Sequence, residues 1–93
     1  NTRAIDIINN FKDQHANVDV YDPWVDPDEA KEVYGFRPVS EPVANNYDAI
    51  VLTVAHQQFV EMGPDAIRSF GNPEHVMFDV TYMFPAELTD SRL

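Results

Sequence analysis

Ala49-Ile50-Val51-Leu52-Thr53-Val54-Ala55 decides the fold: seven residues without a charge, four of them β-branched. The run lacks the polar alternation of a strand with one wet face, so it predicts a strand covered on both faces, the habit of central parallel strands between helices. Gln57 opens a stretch of helical composition with Phe59, Met62, Ala66, Ile67 and Phe70 apolar, broken by Gly63-Pro64 and ended by Gly71. His75-Val76-Met77-Phe78-Asp79-Val80 then reads as the last strand, with room to continue to Phe84 before Pro85. Upstream, Ala4, Ile5, Ile8 and Phe11 recur at helical spacing behind a cap at Asn1 or Thr2, and that helix is expected to end near Ala16 or Asn17. Val18-Asp19-Val20-Tyr21 alternates as a short strand stopped by Asp22-Pro23. Asp26-Pro27-Asp28-Glu29 is a helix start, with a cap, Pro at the first helical position and Glu three residues after the cap, and Gly35 stops it. Residues 36–39 read as a short edge strand. The order is alternating α/β with a mostly parallel sheet. It opens on a helix, so the first strand is expected to be lost with a preceding part of a longer protein.

Length and charge narrow the function. The 93 residues make one domain, residues 1–93, with a modest core. Sixteen acids against six bases give a net charge of −10. That excludes a binder of nucleic acid, whose affinity comes from Lys and Arg that release counterions, and disfavours an anionic membrane. The acidity is even, nine acids to four bases over residues 1–46 and seven to two over 47–93, which is a solvated surface rather than an acidic tail. No run reaches the 18 apolar residues of a membrane span, and Asn1-Thr2-Arg3 is neither an initiator Met nor a signal peptide, so a piece of a cytoplasmic protein is expected.

Little in the chain carries chemistry by itself. Zero Cys removes a thiolate metal site and a cysteine nucleophile. Gly35, Gly63 and Gly71 are the three glycines, and no two fall in a phosphate-cradling pattern. His15, His56 and His75 are too scattered for a metal set. His56 stands out because it follows a buried strand's end, where open α/β sheets place their sites; the plainer reading is a residue that closes the strand and caps the next helix. Asp22, Asp26, Asp28, Glu29 and Glu32 cluster, but prolines stand where a calcium loop must turn, and carboxylates at a helix N-terminus account for most of them. Trp24, beside a turn, reads as packing against its own domain or a partner rather than stacking on a base.

Three segments read together are more specific. Val20-Tyr21-Asp22-Pro23-Trp24-Val25-Asp26, Tyr47 through His56 with Phe59, and His75-Val76-Met77-Phe78-Asp79-Val80 resemble the carboxy-terminal UDP-binding domain of the UDP-glucose/GDP-mannose dehydrogenase family. Ala55-His56-Gln57-Gln58-Phe59 and the ending Asp90-Ser91-Arg92-Leu93 look like the branch acting on UDP-N-acetylhexosamines. The resemblance implies a Rossmann-like three-layer sandwich lacking its first, central strand. It also implies a parent enzyme that oxidises the sugar's C6 alcohol to a carboxylate in two NAD-dependent steps, through a thiohemiacetal on a cysteine, making UDP-uronic acids for surface polysaccharide. The NAD would be bound mainly by an amino-terminal domain, the substrate would be a UDP-sugar, and the parent is expected to be a homo-oligomer. Many relatives carry a basic residue two positions after the last strand's Asp, where this chain has Thr81. Tyr82 and Arg92, which follow the last strand, are the remaining candidates for nucleotide contact, with Thr81 beside them, and no residue of the chain is expected to be catalytic.

Two readings from other classes compete. A receiver-like signalling module suits alternating α/β with acidic charge, but a phosphoacceptor Asp should end a central strand, whereas Asp48 precedes one, and no Lys follows the last strand. An interaction domain without catalysis would show as a stable dimer with no nucleotide affinity. In the order 3-2-1-4-5 the absent first strand would lie between residues 18–21 and 49–55, leaving two sheet edges open to pairing.

Overall fold

A computed structural model describes residues 2–90, the side chains of Thr2, Val33 and Tyr34 excepted. The chain divides into two compact units, Asn1–Pro42 and Val43–Leu93.

The first unit holds helices α1 (Thr2–Asp13) and α2 (Pro27–Tyr34). Of the expected caps for α1, Asn1 lies outside the described residues. The helix ends three residues before the expected stop, and the left-handed residue that follows is His15 (φ 66°) rather than Asn17. Helix α2 is built as its sequence dictates. The Asp26 carboxylate accepts the N–H groups of Asp28 (2.8 Å) and Glu29 (3.3 Å), Pro27 opens the helix, and Gly35 closes it in the left-handed region, donating to the Lys31 carbonyl. Residues 18–21 and 36–39, both expected as strands, form none. The Val39 N–H donates to the Val20 carbonyl (2.8 Å), but the two segments form no strand ladder that would hold them in a sheet.

The second unit is a strand, helix, strand sequence: β1 (Tyr47–Leu52), α3 (Gln57–Arg68) and β2 (Gly71–Asp79), followed by a short 3-10 turn at Ala86–Leu88. The strands pair in parallel. Strand β1 starts earlier than expected and stops at Leu52, where the Val80 N–H donates to the Leu52 carbonyl (3.0 Å) as the last rung. Ile50, Leu52 and Met77 share one face and pack with Phe59 and Ile67 of α3 and with Met83 and Phe84 beyond the sheet. Val51 and Phe78, on the other face, stay half-buried, and so does Ile50 on this one, so of the run expected to be covered on both faces Leu52 alone is fully buried.

Helix α3 kinks where the sequence demands it. Gly63 sits at φ 81°, ψ 161°, a region open essentially to glycine alone, and Pro64 restarts the helix. Strand β2 begins with an irregularity. Tyr47 pairs with Gly71 and Ala49 with Val76, so an advance of two residues along β1 meets five along β2. Asn72 closes the excess, its carboxamide oxygen accepting the Glu74 N–H (2.9 Å) and its amide donating to Asp48 (2.6 Å). Pro73, with no N–H for a ladder, lies inside this bulge.

Candidate functional site

Parallel strands end at the same edge. With Leu52 paired to Asp79, the segment from Thr53 to His56 and the segment Val80-Thr81-Tyr82 leave the sheet side by side, and α3 starts there. In open α/β sheets ligands bind outside these carboxyl ends.

Asp79 organises this edge. It is wholly buried, at 0% exposure. One carboxylate oxygen accepts both the Thr81 N–H (2.9 Å) and the Thr81 hydroxyl (2.7 Å), and the other accepts the Phe84 N–H (3.0 Å). Burial by itself pushes the carboxyl pKa up. The Phe84 N–H, the Thr81 hydroxyl and the N–H groups of Thr81 and Met83 outweigh it and hold the group below its ordinary value. Asp79 is therefore a carboxylate fixed by the turn that follows it. Among described residues that turn contains Tyr82, with φ 56°, left-handed without being glycine, and 59% exposed. Such a backbone costs an L-residue roughly 1–2 kcal/mol and persists where the surroundings over-determine it.

The expected site residues fall as follows. Tyr82 stands at the carboxyl edge, exposed. Thr81 stands there too, but its hydroxyl proton is committed to Asp79, which leaves the oxygen's lone pairs as what it can offer a ligand. Arg92 lies outside the described residues. The last described residue, Asp90, has already turned back along β2: its N–H donates to the Met77 carbonyl (2.8 Å) and its carboxylate accepts the Met77 N–H (2.6 Å). Arg68, in the last turn of α3, reaches the same carboxylate (3.2 Å), donates to the Leu88 carbonyl (3.3 Å) and lies 3.1 Å from His75 Nε2. His75 Nδ1 faces the Asn72 carbonyl (2.7 Å), which only accepts, so Nδ1 carries the ring proton and Nε2 receives Arg68. The Met77 N–H and the Arg68 guanidinium hold the Asp90 carboxyl below its ordinary pKa.

His56 stands at the N-cap position of α3, as the plainer of its two readings has it, but it does not close the strand, since β1 ends at Leu52, four residues before it. It is the residue before α3 (φ −65°, ψ 142°), its carbonyl accepts the N–H groups of Phe59 and Val60, and its ring lies 5.7 Å from that of Phe59 at 42°, with no side-chain cap bond. The acidic cluster of the first unit lines an open depression of about 550 Å³ formed by Asp26, Asp28, Glu29, Lys31 and Glu32. Four carboxylates around one ammonium repel a pyrophosphate. Among the described residues no helix is long and apolar enough to cross a membrane, and no group of three His, Asp or Glu is placed to hold a metal ion.

Sequence reading passed over Asp79 and Arg68. The signal for Asp79 was present: an Asp closing an apolar strand, two residues before a Thr, is a turn former that bonds the backbone ahead of it. Arg68 gave none, because its three partners lie between 7 and 22 residues along the chain at no regular spacing.

Comparison with known proteins agrees with the resemblance. The chain is 47% identical over all of its 93 residues to the UDP-N-acetyl-D-glucosamine 6-dehydrogenase of Salmonella typhi, and 41% identical over the same span to the enzyme of that name from Pseudomonas aeruginosa. It spans 22% of the length of each of them. No solved structure gives a significant match. Residues 1–86 match the UDP binding domain of the UDP-glucose/GDP-mannose dehydrogenase family, and the chain belongs to that family.

Proposed function

We propose that residues 1–93 are the carboxy-terminal UDP-sugar-binding domain of a longer NAD-dependent dehydrogenase that oxidises C6 of a UDP-N-acetylhexosamine to a carboxylate. The identity of 41–47% along the whole chain to two enzymes named as UDP-N-acetyl-D-glucosamine 6-dehydrogenases carries this reading. The four-electron oxidation consumes two NAD and, through a thiohemiacetal, needs a cysteine. Neither fits here. The chain has no Cys. Gly63 lies in a helix kink, and the His75 ring fills the space beside Gly71, so these glycines form no cradle for a dinucleotide. Nucleophile and NAD therefore belong to the rest of the protein, and this domain contributes affinity for the UDP moiety. Tyr82 is the residue assigned to it at the carboxyl edge, with Thr81 beside it and Arg92 as the cation for the diphosphate. The parent works in the cytoplasm as a homo-oligomer, its uronic acid product feeding surface polysaccharide.

The test is turnover by the full-length protein with UDP-N-acetylglucosamine, UDP-N-acetylmannosamine and UDP-glucose, following NADH. Two NADH per sugar from a UDP-N-acetylhexosamine, and none from the 93-residue chain alone, is expected. Turnover by the isolated chain, or none by the full-length protein with any UDP-sugar, would overturn the proposal.

A further inference from the structure

We propose that Asp79 is a positioning residue that sets Tyr82 for ligand contact at the carboxyl edge of the sheet. The inference rests on the assignment of Tyr82 made above.

A buried carboxylate is costly unless hydrogen bonds replace its lost hydration. At Asp79 every such bond comes from the turn ahead: the Thr81 N–H and hydroxyl on one oxygen, the Phe84 N–H on the other. The turn is anchored at both ends, because Val80 and Phe84 are each 6% exposed and Phe84 belongs to the core cluster. With Asp79 bonded to residue 84, the chain must leave the sheet, reverse and return to the core within residues 80–83. Within this reversal the residue that takes the left-handed conformation is Tyr82, at φ 56°. The same geometry sends its side chain outward while both neighbours point in. An apolar side chain at position 79 would fill the space but could not gather those donors, and the turn that carries Tyr82 would lose the bonds from Thr81 and Phe84 that fix it.

This arrangement separates two roles at adjacent positions. Thr81 acts through its bond to Asp79, and Tyr82 presents the aromatic ring and phenol, groups suited to stacking on a base or bonding a ribose or phosphate oxygen.

The experiment is a double-mutant cycle on the full-length protein titrated with UDP, with melting temperature recorded for each variant. Tyr82→Ala is expected to weaken UDP about tenfold. Asp79→Asn, and Thr81→Val as the milder variant should the first fail to fold, are expected to weaken it severalfold, with Thr81→Ser restoring affinity. In the Tyr82→Ala background neither change is expected to weaken UDP further. A solely structural role would lower the melting temperature and leave UDP affinity unmoved, and that result overturns the inference. Continued loss in the Tyr82→Ala background overturns it as well, because the effect would then bypass Tyr82. Unaltered UDP binding by Tyr82→Ala would remove the Tyr82 assignment itself, and this inference with it.

Discussion

Asp90 holds Met77 at two points, its N–H donating to the Met77 carbonyl at 2.8 Å and its carboxylate accepting the Met77 N–H at 2.6 Å. Both polar groups of Met77 thus point away from β1, while the next N–H but two, that of Val80, points toward it. The far edge of β2 is therefore capped at a fully buried residue by one side chain and one peptide group. Asp90→Ala should leave the Met77 N–H without its acceptor and cost about 1–2 kcal/mol. Amide hydrogen exchange at Met77 is the direct reading: acceleration in Asp90→Ala is expected, and an unchanged rate would dissolve the bridge.

Acid should loosen the second unit at two places. Asp79 and Asp90 both have carboxyl pKa values lowered in the folded chain, so the unfolded chain binds more protons near pH 4. Stability from these groups is then fully present above their ordinary value of about 3.9. It is lost as pH falls through the lower folded values. Melting temperature measured from pH 7 downward should hold until about pH 4 and fall below it. Asp79→Asn should start lower and fall less steeply.

Gly63 isolates backbone strain from packing. A Cβ built there meets nothing within 4 Å, yet φ 81° and ψ 161° exclude other residues. Gly63→Ala should therefore cost roughly 1–3 kcal/mol through the backbone alone. Denaturant unfolding of the variant checks this, and a neutral result would mean that the kink relaxes freely.

Gly71 is the opposite case. Its backbone is ordinary, but an added Cβ would overlap the His75 ring, and that ring is held by Asn72 and Arg68. Gly71→Ala should destabilise by about 1–3 kcal/mol. His75→Ala in the same chain should recover much of the loss. Additive losses in the pair would show that the two residues do not meet.

Local chemistry alone determined several features of this protein. The cap at Asp26, Pro27 at the helix start, the stop at Gly35 and the break at Gly63-Pro64 each follow from a residue acting on its own few neighbours. The two strands of the second unit were legible as apolar runs, although their limits were not, since a strand ends where its partner does. The segments 18–21 and 36–39 also read as strands and formed none, because alternation at 18–21 describes a strand's faces and says nothing of whether a ladder waits beside it. The family was legible in three segments of the sequence, and with it the place of Tyr82 after the last strand. What only the tertiary structure decided is the shape of that place. Asp79 as the collector of the turn, Thr81 spending its proton on it, and Arg68 and Asp90 meeting across 22 residues of chain are contacts made after folding has brought the partners together. Their cause is burial: once Asp79 and Met77 leave water, each lone pair and N–H there must find a partner in space, and no periodicity along the chain records which one it will be.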